Sequence, residues 1–352
     1  MSFNVSKTKS LLISNKTDRD TCPCISINNV QIEEVVSHKH LGVPLTQNLS
    51  WSAHINEIAI KASQRLNIIQ CFKFKLSRSD LEKFYLSFVL PILEYCDALW
   101  DGATAQDLDK LDRIHLRAMR IITGATERTS SRKLLVDIGW NTLETRRKIH
   151  RLKLYYKILK GIVPSYLFDL VPQVVGERNT YALRNRHDIT LYRTHREFFR
   201  RSFFPSTTRD WNELPLTLRN CDTINSFSRG LANHFARPPK IPWYGIGDRK
   251  CDVYLARMRL ECSSLKAHLH FNLHVEDSPR CACGFTTEDP EHYLLHCPLF
   301  EQQRILLTNK LSEFLPLTAD LLLYGRRELS DDSNNRIVFA VQSFIQSTHR
   351  FH

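Results

Sequence analysis

The chain has 352 residues, of which 42% are hydrophobic, 49 are Lys or Arg and 37 are Asp or Glu, for a net charge of +12. This composition excludes a disordered or fibrous polymer and leaves room for two or three domains with cores of their own. No apolar run reaches the length of a membrane span, and the first seven residues carry no apolar signal core. Ten cysteines, scattered and mostly flanked by apolar residues, do not read as a secreted disulfide framework. A reducing compartment, nuclear or cytoplasmic, is the expectation.

Residues 1–50 are strand-prone, with short β-type runs at 10–14, 25–27 and 31–36 separated by polar turns. From Ser52 the period changes. Ile55, Ile58, Ala59, Ala62, Leu66 and Ile69 mark one apolar face of a helix reaching about Lys73. Ser79-x-x-Glu82 has the spacing of a capping box opening a second helix, whose buried face would hold Leu81, Phe84, Tyr85, Phe88 and Val89. Pro91 kinks or restarts it. A third helix is expected over 105–123, closed by Gly124, with Leu108, Leu111, Ile114, Ala118 and Ile122 on its apolar side. Lys110, Arg113, Arg117 and Arg120 stack on the far side, a stripe able to track a phosphate backbone. A fourth helix runs from near Asn141 to Lys160, and its Arg146, Arg147, Lys148 and Arg151 extend the basic surface.

The basic excess is local. From Arg113 to Lys160 there are thirteen Lys or Arg and three acids; from Arg178 to Arg209 there are eight Arg and two acids. Such density favours a polyanion, RNA or DNA, over a merely solvated face. Residues 178–205 look extended, with Tyr181, Tyr192, Phe198, Phe199, Phe203 and Phe204 interleaved with Arg193, Arg196, Arg200 and Arg201. That pattern suits base stacking beside phosphate contacts, and equally a half-buried hairpin. A proline-rich linker follows at 237–248, then a last domain with helices near 253–269, 300–314 and 335–347.

Within that last domain, Cys281-x-Cys283, His292 and Cys297 have the spacing C-x-C-x8-H-x4-C. Three thiols and an imidazole complete a closed tetrahedral set for structural zinc, with no position left for a substrate. Gly284 permits the tight turn after the second thiol, and Leu294 with Leu295 suits a short helix carrying His292 and Cys297. Two buried cysteines beside a surface histidine and a third, unrelated thiol are the plain alternative.

Taken together, these segments resemble the carboxy-terminal part of LINE-type (non-LTR) retroelement reverse transcriptases. Asn4–Ser14 is similar to the palm segment after the catalytic Asp pair of that family. His40-Leu41-Gly42 with 43–55 resembles the primer-grip hairpin and the start of the thumb, and 91–100 with 111–120 resembles the helical thumb itself. Trp211-Asn-Glu-Leu-Pro215 is a further familiar patch, and Cys281–Cys297 sits where such proteins carry a zinc-knuckle-like module.

The resemblance implies a mainly α (α+β) fold. It would comprise a β remnant of a palm (1–50), a helical thumb-like bundle (51–175), a basic and aromatic segment with a short helix (176–236), the linker (237–248) and a helical zinc-bearing domain (249–352). Polymerase chemistry needs paired carboxylates holding two metal ions. The family places them before the segment resembled here, and Asp331-Asp332, the sole Asp-Asp pair in the sequence, reads as a helix start. Asp18 and Asp20 have no strand pattern around them, and Cys22-Pro-Cys24 lacks a second local pair. The expectation is a chain that is no polymerase by itself, with no catalytic Mg site. It would bind RNA or DNA, and a catalytic reverse transcriptase half is a further candidate partner. Two alternatives stand beside it: part of an active polymerase completed upstream or in trans, and a decayed remnant or protein scaffold.

Overall fold

The structure, a computed structural model, describes residues 4, 7–14, 24–178 and 185–351. Val5 and Ser6 of the Asn4–Ser14 segment, and Asp18, Asp20, Cys22 and Tyr181 singled out above, lie outside the described residues. The fold is mainly helical with small sheets, as expected.

Among the described residues the strands form three separate pairs. Lys9–Ser10 runs parallel to Glu33–Glu34, Ser26–Ile27 pairs antiparallel with Val30–Gln31, and Ser37–His40 pairs antiparallel with Val43–Thr46. Each hairpin turns on two residues at positive φ, Asn28 and Asn29 (52° and 62°) and Leu41 and Gly42 (46° and 83°). That is the turn whose twist matches the flanking strands. The runs expected at 10–14 and 31–36 are cut to two residues each, because Ile32 alone is buried between 24 and 36 and little apolar surface supports a longer ladder.

The helix Ser52–Cys71 buries Ile55, Ile58, Ala62, Leu66 and Ile69, the face its period picks out. The next helix starts at Arg78, where Ser77 Oγ accepts the Asp80 amide at 3.1 Å. Ser77 therefore caps it, not Ser79; Glu82 instead turns inward to accept the Trp140 indole N–H at 3.1 Å. The register widens to a π turn over Tyr85–Val89, just ahead of Pro91, which has no amide to give to the ladder. Leu81, Tyr85 and Val89 are buried, but Phe84 and Phe88 are 49% and 39% exposed. Residues four apart hold the inner stripe, so 84 and 88 fall on its flank.

Ala105–Thr123 and Leu143–Leu159 follow, the first closed by Gly124 at φ 77°. The stretch expected as extended contains helices at Glu197–Arg201 and Phe203–Asn212. Phe203, Thr207 and Trp211 recur every four residues, and the last two are buried. The helix Arg249–Arg259 stops before Glu261, whose φ of 55° is left-handed, so no single helix spans 253–269. In the last helix, Asp331–Thr348, Ser330 Oγ accepts the Ser333 amide at 3.1 Å and the Asp pair fills the first turn. No described helix is long and apolar enough to cross a membrane.

The chain folds into two compact units, each discontinuous in sequence. The first comprises Met1–Ala62, Ile92–Asp112 and Leu143–Phe235. Leu152, Tyr155, Tyr156, Trp211, Phe227 and Leu231 build a core there, with Tyr156 stacked on Phe227 at 4.5 Å between centroids. The second comprises Ser63–Pro91, Arg113–Thr142 and Ala236–His352. Its core includes Trp243, Leu255, Tyr293, Ile337, Val341 and Phe344. Trp243 comes from the proline-rich stretch 237–248, and its indole donates to the Tyr324 carbonyl at 2.9 Å.

Candidate metal centre and nucleic-acid interface

In the second unit, Cys281, Cys283, His292 and Cys297 bring one ligand atom each to within 4.8 Å of one another. The backbone explains how. Gly284 sits at φ 94°, the Gly284 amide donates to the Cys281 carbonyl and the Cys281 amide to the Phe285 carbonyl, both at 3.0 Å. This tight loop turns the first two thiols to one side. His292–His296 is a π turn, and the Cys297 amide closes it on the His292 carbonyl at 2.7 Å. Asp289 Oδ1 accepts the His292 amide at 2.8 Å and so fixes where the turn begins.

The distances suit an ion. Cys281 Sγ lies 3.8 Å from Cys297 Sγ, and Cys283 Sγ lies 3.3 Å from His292 Nε2. Thiolates bound tetrahedrally at about 2.3 Å stand about 3.8 Å apart, whereas a disulfide needs about 2.05 Å. All four groups are at least partly buried. Burial pushes the Cys281 thiol up to about 12 and holds the imidazole of His292 below its ordinary value, hence neutral, as a ligand must be. The Phe285 amide holds Cys283 below the usual thiol range. Three sulfurs and a neutral nitrogen thus form a site that can hold a metal ion, and the cation would supply the charge that buried thiolates require.

Several supporting groups escaped the sequence reading. Phe285 stacks on His292 with centroids 4.4 Å apart and planes 1° from parallel. Arg304 donates to the carbonyls of Leu294 and Cys297. Glu288, 3% exposed, takes Arg350 through both oxygens at 2.7 Å and the Lys266 amide at 3.0 Å. Asp289 three residues before His292 was a legible cap signal; the reach from Glu288 to Arg350 has no local sign.

The basic residues divide sharply. In the first unit, Arg147 Nε meets Asp101 Oδ1 at 2.6 Å, and Arg151 reaches Asp101 and Asp210, each at 2.8 Å. Lys148 also meets Asp210 at 2.8 Å, and Arg146 pairs with Glu94. The side chains of Arg147 and Arg151 are 3% and 9% exposed, so they present almost nothing to a ligand. Lys110 is held by Asp107 at 2.8 Å and Asn56 at 2.7 Å. In the second unit, Arg117 donates to Asn67 and Gln70 and Arg120 to the Thr129 carbonyl, while Arg113 is exposed. By contrast Arg193, Arg196, Arg200 and Arg201 are all exposed, beside Phe198 and Phe199 at 48% and 43%. The 200 and 201 guanidinia pair with Glu197 at 3.4 and 3.5 Å, in exposed ion pairs. At the 37–46 hairpin tip, Leu41 is 78% exposed and the Tyr95 hydroxyl donates to its carbonyl at 2.6 Å.

No protein-family model and no solved structure matches the chain. Curated relatives do. An RNA-directed DNA polymerase from mobile element jockey of Drosophila funebris is 27% identical over 158 residues, 43% of this chain and 17% of the relative. Its Drosophila melanogaster counterpart is 28% identical over 126 residues, 35% of this chain and 14% of the relative. A probable RNA-directed DNA polymerase from transposon BS of D. melanogaster is 24% identical over 175 residues, 47% and 19% of the respective lengths. The matched part spans less than a fifth of each relative. The chain is therefore related to the reverse transcriptases of LINE-type mobile elements.

Proposed function

We propose that these residues are a nucleic-acid-binding part of a LINE-type reverse transcriptase, non-catalytic by itself and built around a structural zinc. The observation that carries the reading is the 193–201 segment, where four exposed guanidinia flank two exposed phenyl rings. Guanidinia neutralise phosphates while the rings offer faces to unstacked bases, a combination that binds single strands with little sequence preference. The hairpin tip at His40-Leu41-Gly42 would serve as the primer-grip-like contact, following the palm remnant and preceding the thumb-like helices. Cys281, Cys283, His292 and Cys297 would hold zinc, which closes the fold and leaves no coordination position for chemistry. A nuclear or cytoplasmic setting keeps those thiols reduced. Asp331-Asp332 fills the first turn of a helix and not a β-hairpin, which supports assigning polymerase carboxylates to another segment or partner.

Binding to a labelled single-stranded RNA across a salt series tests the reading. Log affinity should fall linearly with log salt, with a slope of about −0.7 per phosphate neutralised. Replacing Arg193, Arg196, Arg200 and Arg201 by Ala should flatten that slope by about 0.7 per lost contact. No binding at low salt, or a slope untouched by the four changes, would overturn it.

A further inference from the structure

The second unit carries an apolar groove of about 540 Å³, far in sequence from the metal ligands. The end of the Ser52–Cys71 helix gives it Ile68 and Ile69; the next helix and its π turn give Leu81, Phe84 and Phe88. Phe72 and Leu76 come from the connection between them. This lining is reachable: Ile68 is 54% exposed, Phe84 49%, Phe72 42% and Phe88 39%. The one polar side chain among the described lining residues, Ser87, already gives its hydroxyl to the Lys83 carbonyl at 2.7 Å. Three phenyl rings left beside water at one place lose the gain that burial brings, and a patch of this kind marks a contact surface.

Charge says what would cover it. No carboxylate is among the lining residues, and exposed cations adjoin them. The Arg65 guanidinium lies 4.3 Å from the Phe88 ring centroid and donates from Nη1 to the Phe88 carbonyl at 2.8 Å. Lys75 precedes Leu76 and Lys83 precedes Phe84. The acids within Ser63–Pro91 are Asp80 and Glu82. Asp80 accepts the Ser77 hydroxyl at 2.6 Å and stands 3.7 Å from Lys83, and Glu82 is buried. An apolar groove with a cationic margin matches a helix that is apolar on one face and acidic on the other. A nucleobase fits poorly, because its ring edge would leave donors and acceptors unpaired against Ile, Leu and Phe. A bilayer fits no better, since its flat surface would span a concavity without filling it.

We propose that this groove docks an acidic amphipathic helix of a partner protein. Apolar side chains at i, i+4 and i+7 of that helix enter among Ile68, Phe72, Phe84 and Phe88, and its flanking carboxylates meet Arg65, Lys75 and Lys83. The inference goes beyond the nucleic-acid-binding reading and does not depend on it.

The test uses the full chain and a fluorescein-labelled designed helix with Leu at i, i+4, i+7 and i+11 and Glu on its other face, with anisotropy reading binding. Controls are a scrambled peptide of the same composition and the same pattern with Lys in place of Glu. The Glu helix should bind at least tenfold tighter than either. Ile68→Asp and Phe84→Asp, both at exposed positions, should each weaken it at least tenfold while circular dichroism shows the fold kept. Lys75→Glu with Lys83→Glu should reverse the preference in favour of the Lys helix, a gain that misfolding does not produce. No binding of the Glu helix, equal binding of the scrambled peptide, or binding unmoved by Ile68→Asp and by the charge reversal would overturn the proposal. So would loss, in Ile68→Asp, of binding to single-stranded RNA or to phosphatidylserine vesicles, or of self-association in sedimentation, each of which gives the groove a different occupant.

Discussion

Replacing Asp101 by Ala should destabilise the first unit by about 3–5 kcal/mol, the usual cost of leaving a buried charge without its partner. Among the described residues, Asp101 is the one carboxylate in an ion pair with Arg147, whose side chain is 3% exposed, and one of two paired with Arg151. Arg151 keeps Asp210 and the Ser206 hydroxyl at 2.6 Å, so most of the penalty falls on Arg147. With a urea m-value of about 3 kcal/mol/M, the midpoint should drop by about 1–1.7 M at unchanged slope. Urea titration of wild type and variant, followed by far-UV circular dichroism, reads this directly. Adding Arg147→Met should recover most of the loss, since an apolar side chain needs no counter-ion. A midpoint shift below 0.3 M, which corresponds to about 1 kcal/mol, would refute the reasoning and return Arg147 and Arg151 to the pool of ligand-binding cations.

Three further outcomes are expected. Cys281→Ser should lower zinc content from about one per chain and raise hydrogen exchange across 281–297; unchanged exchange with no metal in the wild type would remove zinc from the fold. Gly124→Ala should cost about 2–4 kcal/mol, because φ is 77° and the new Cβ would stand 2.6 Å from both Val253 methyls. Trimming Val253 to Ala should relieve only the steric share, and full recovery would refute the backbone component. His54 is 1% exposed with both ring nitrogens unpartnered among the described residues, and burial lowers its pKa against the opposing pull of Glu57. The unfolded chain therefore takes up the proton first, near 6.5, so this stabilisation is complete above that pH and is lost as pH falls below it. His54→Phe should flatten the stability profile below pH 6.5, and an identical slope in the variant would exclude His54 as its source.

What was legible in the sequence follows physical range. The 52–71 and 105–123 helices were readable because their apolar residues recur with the helical period and Gly124 marks the stop. The metal cluster was readable because its ligands lie within seventeen residues and need only two turns to meet. The acidic partners of the basic face of 143–159 were not legible, because nothing local shows that Glu94, Asp101 and Asp210 arrive opposite Arg146, Arg147 and Arg151. The same holds for Trp243, which a proline-rich context disguises as linker though it lies in the core. Alternating Arg and Phe over 193–204 mimicked a strand, while the spacing of Phe203, Thr207 and Trp211 carried the helix.

The π turn at His292–His296 gives the ligand spacing a meaning of its own. In an α-helix, residues five apart project about 140° from each other, since each step turns about 100°. Here the ladder reaches one residue further, and Cys297 comes round beneath His292. H-x4-C is thus written for a wider helix than H-x3-C. Deleting one residue from 293–296 would not shorten a flexible spacer: it would put the turn back in α register and rotate the last sulfur off the site, while leaving all four ligands in the sequence.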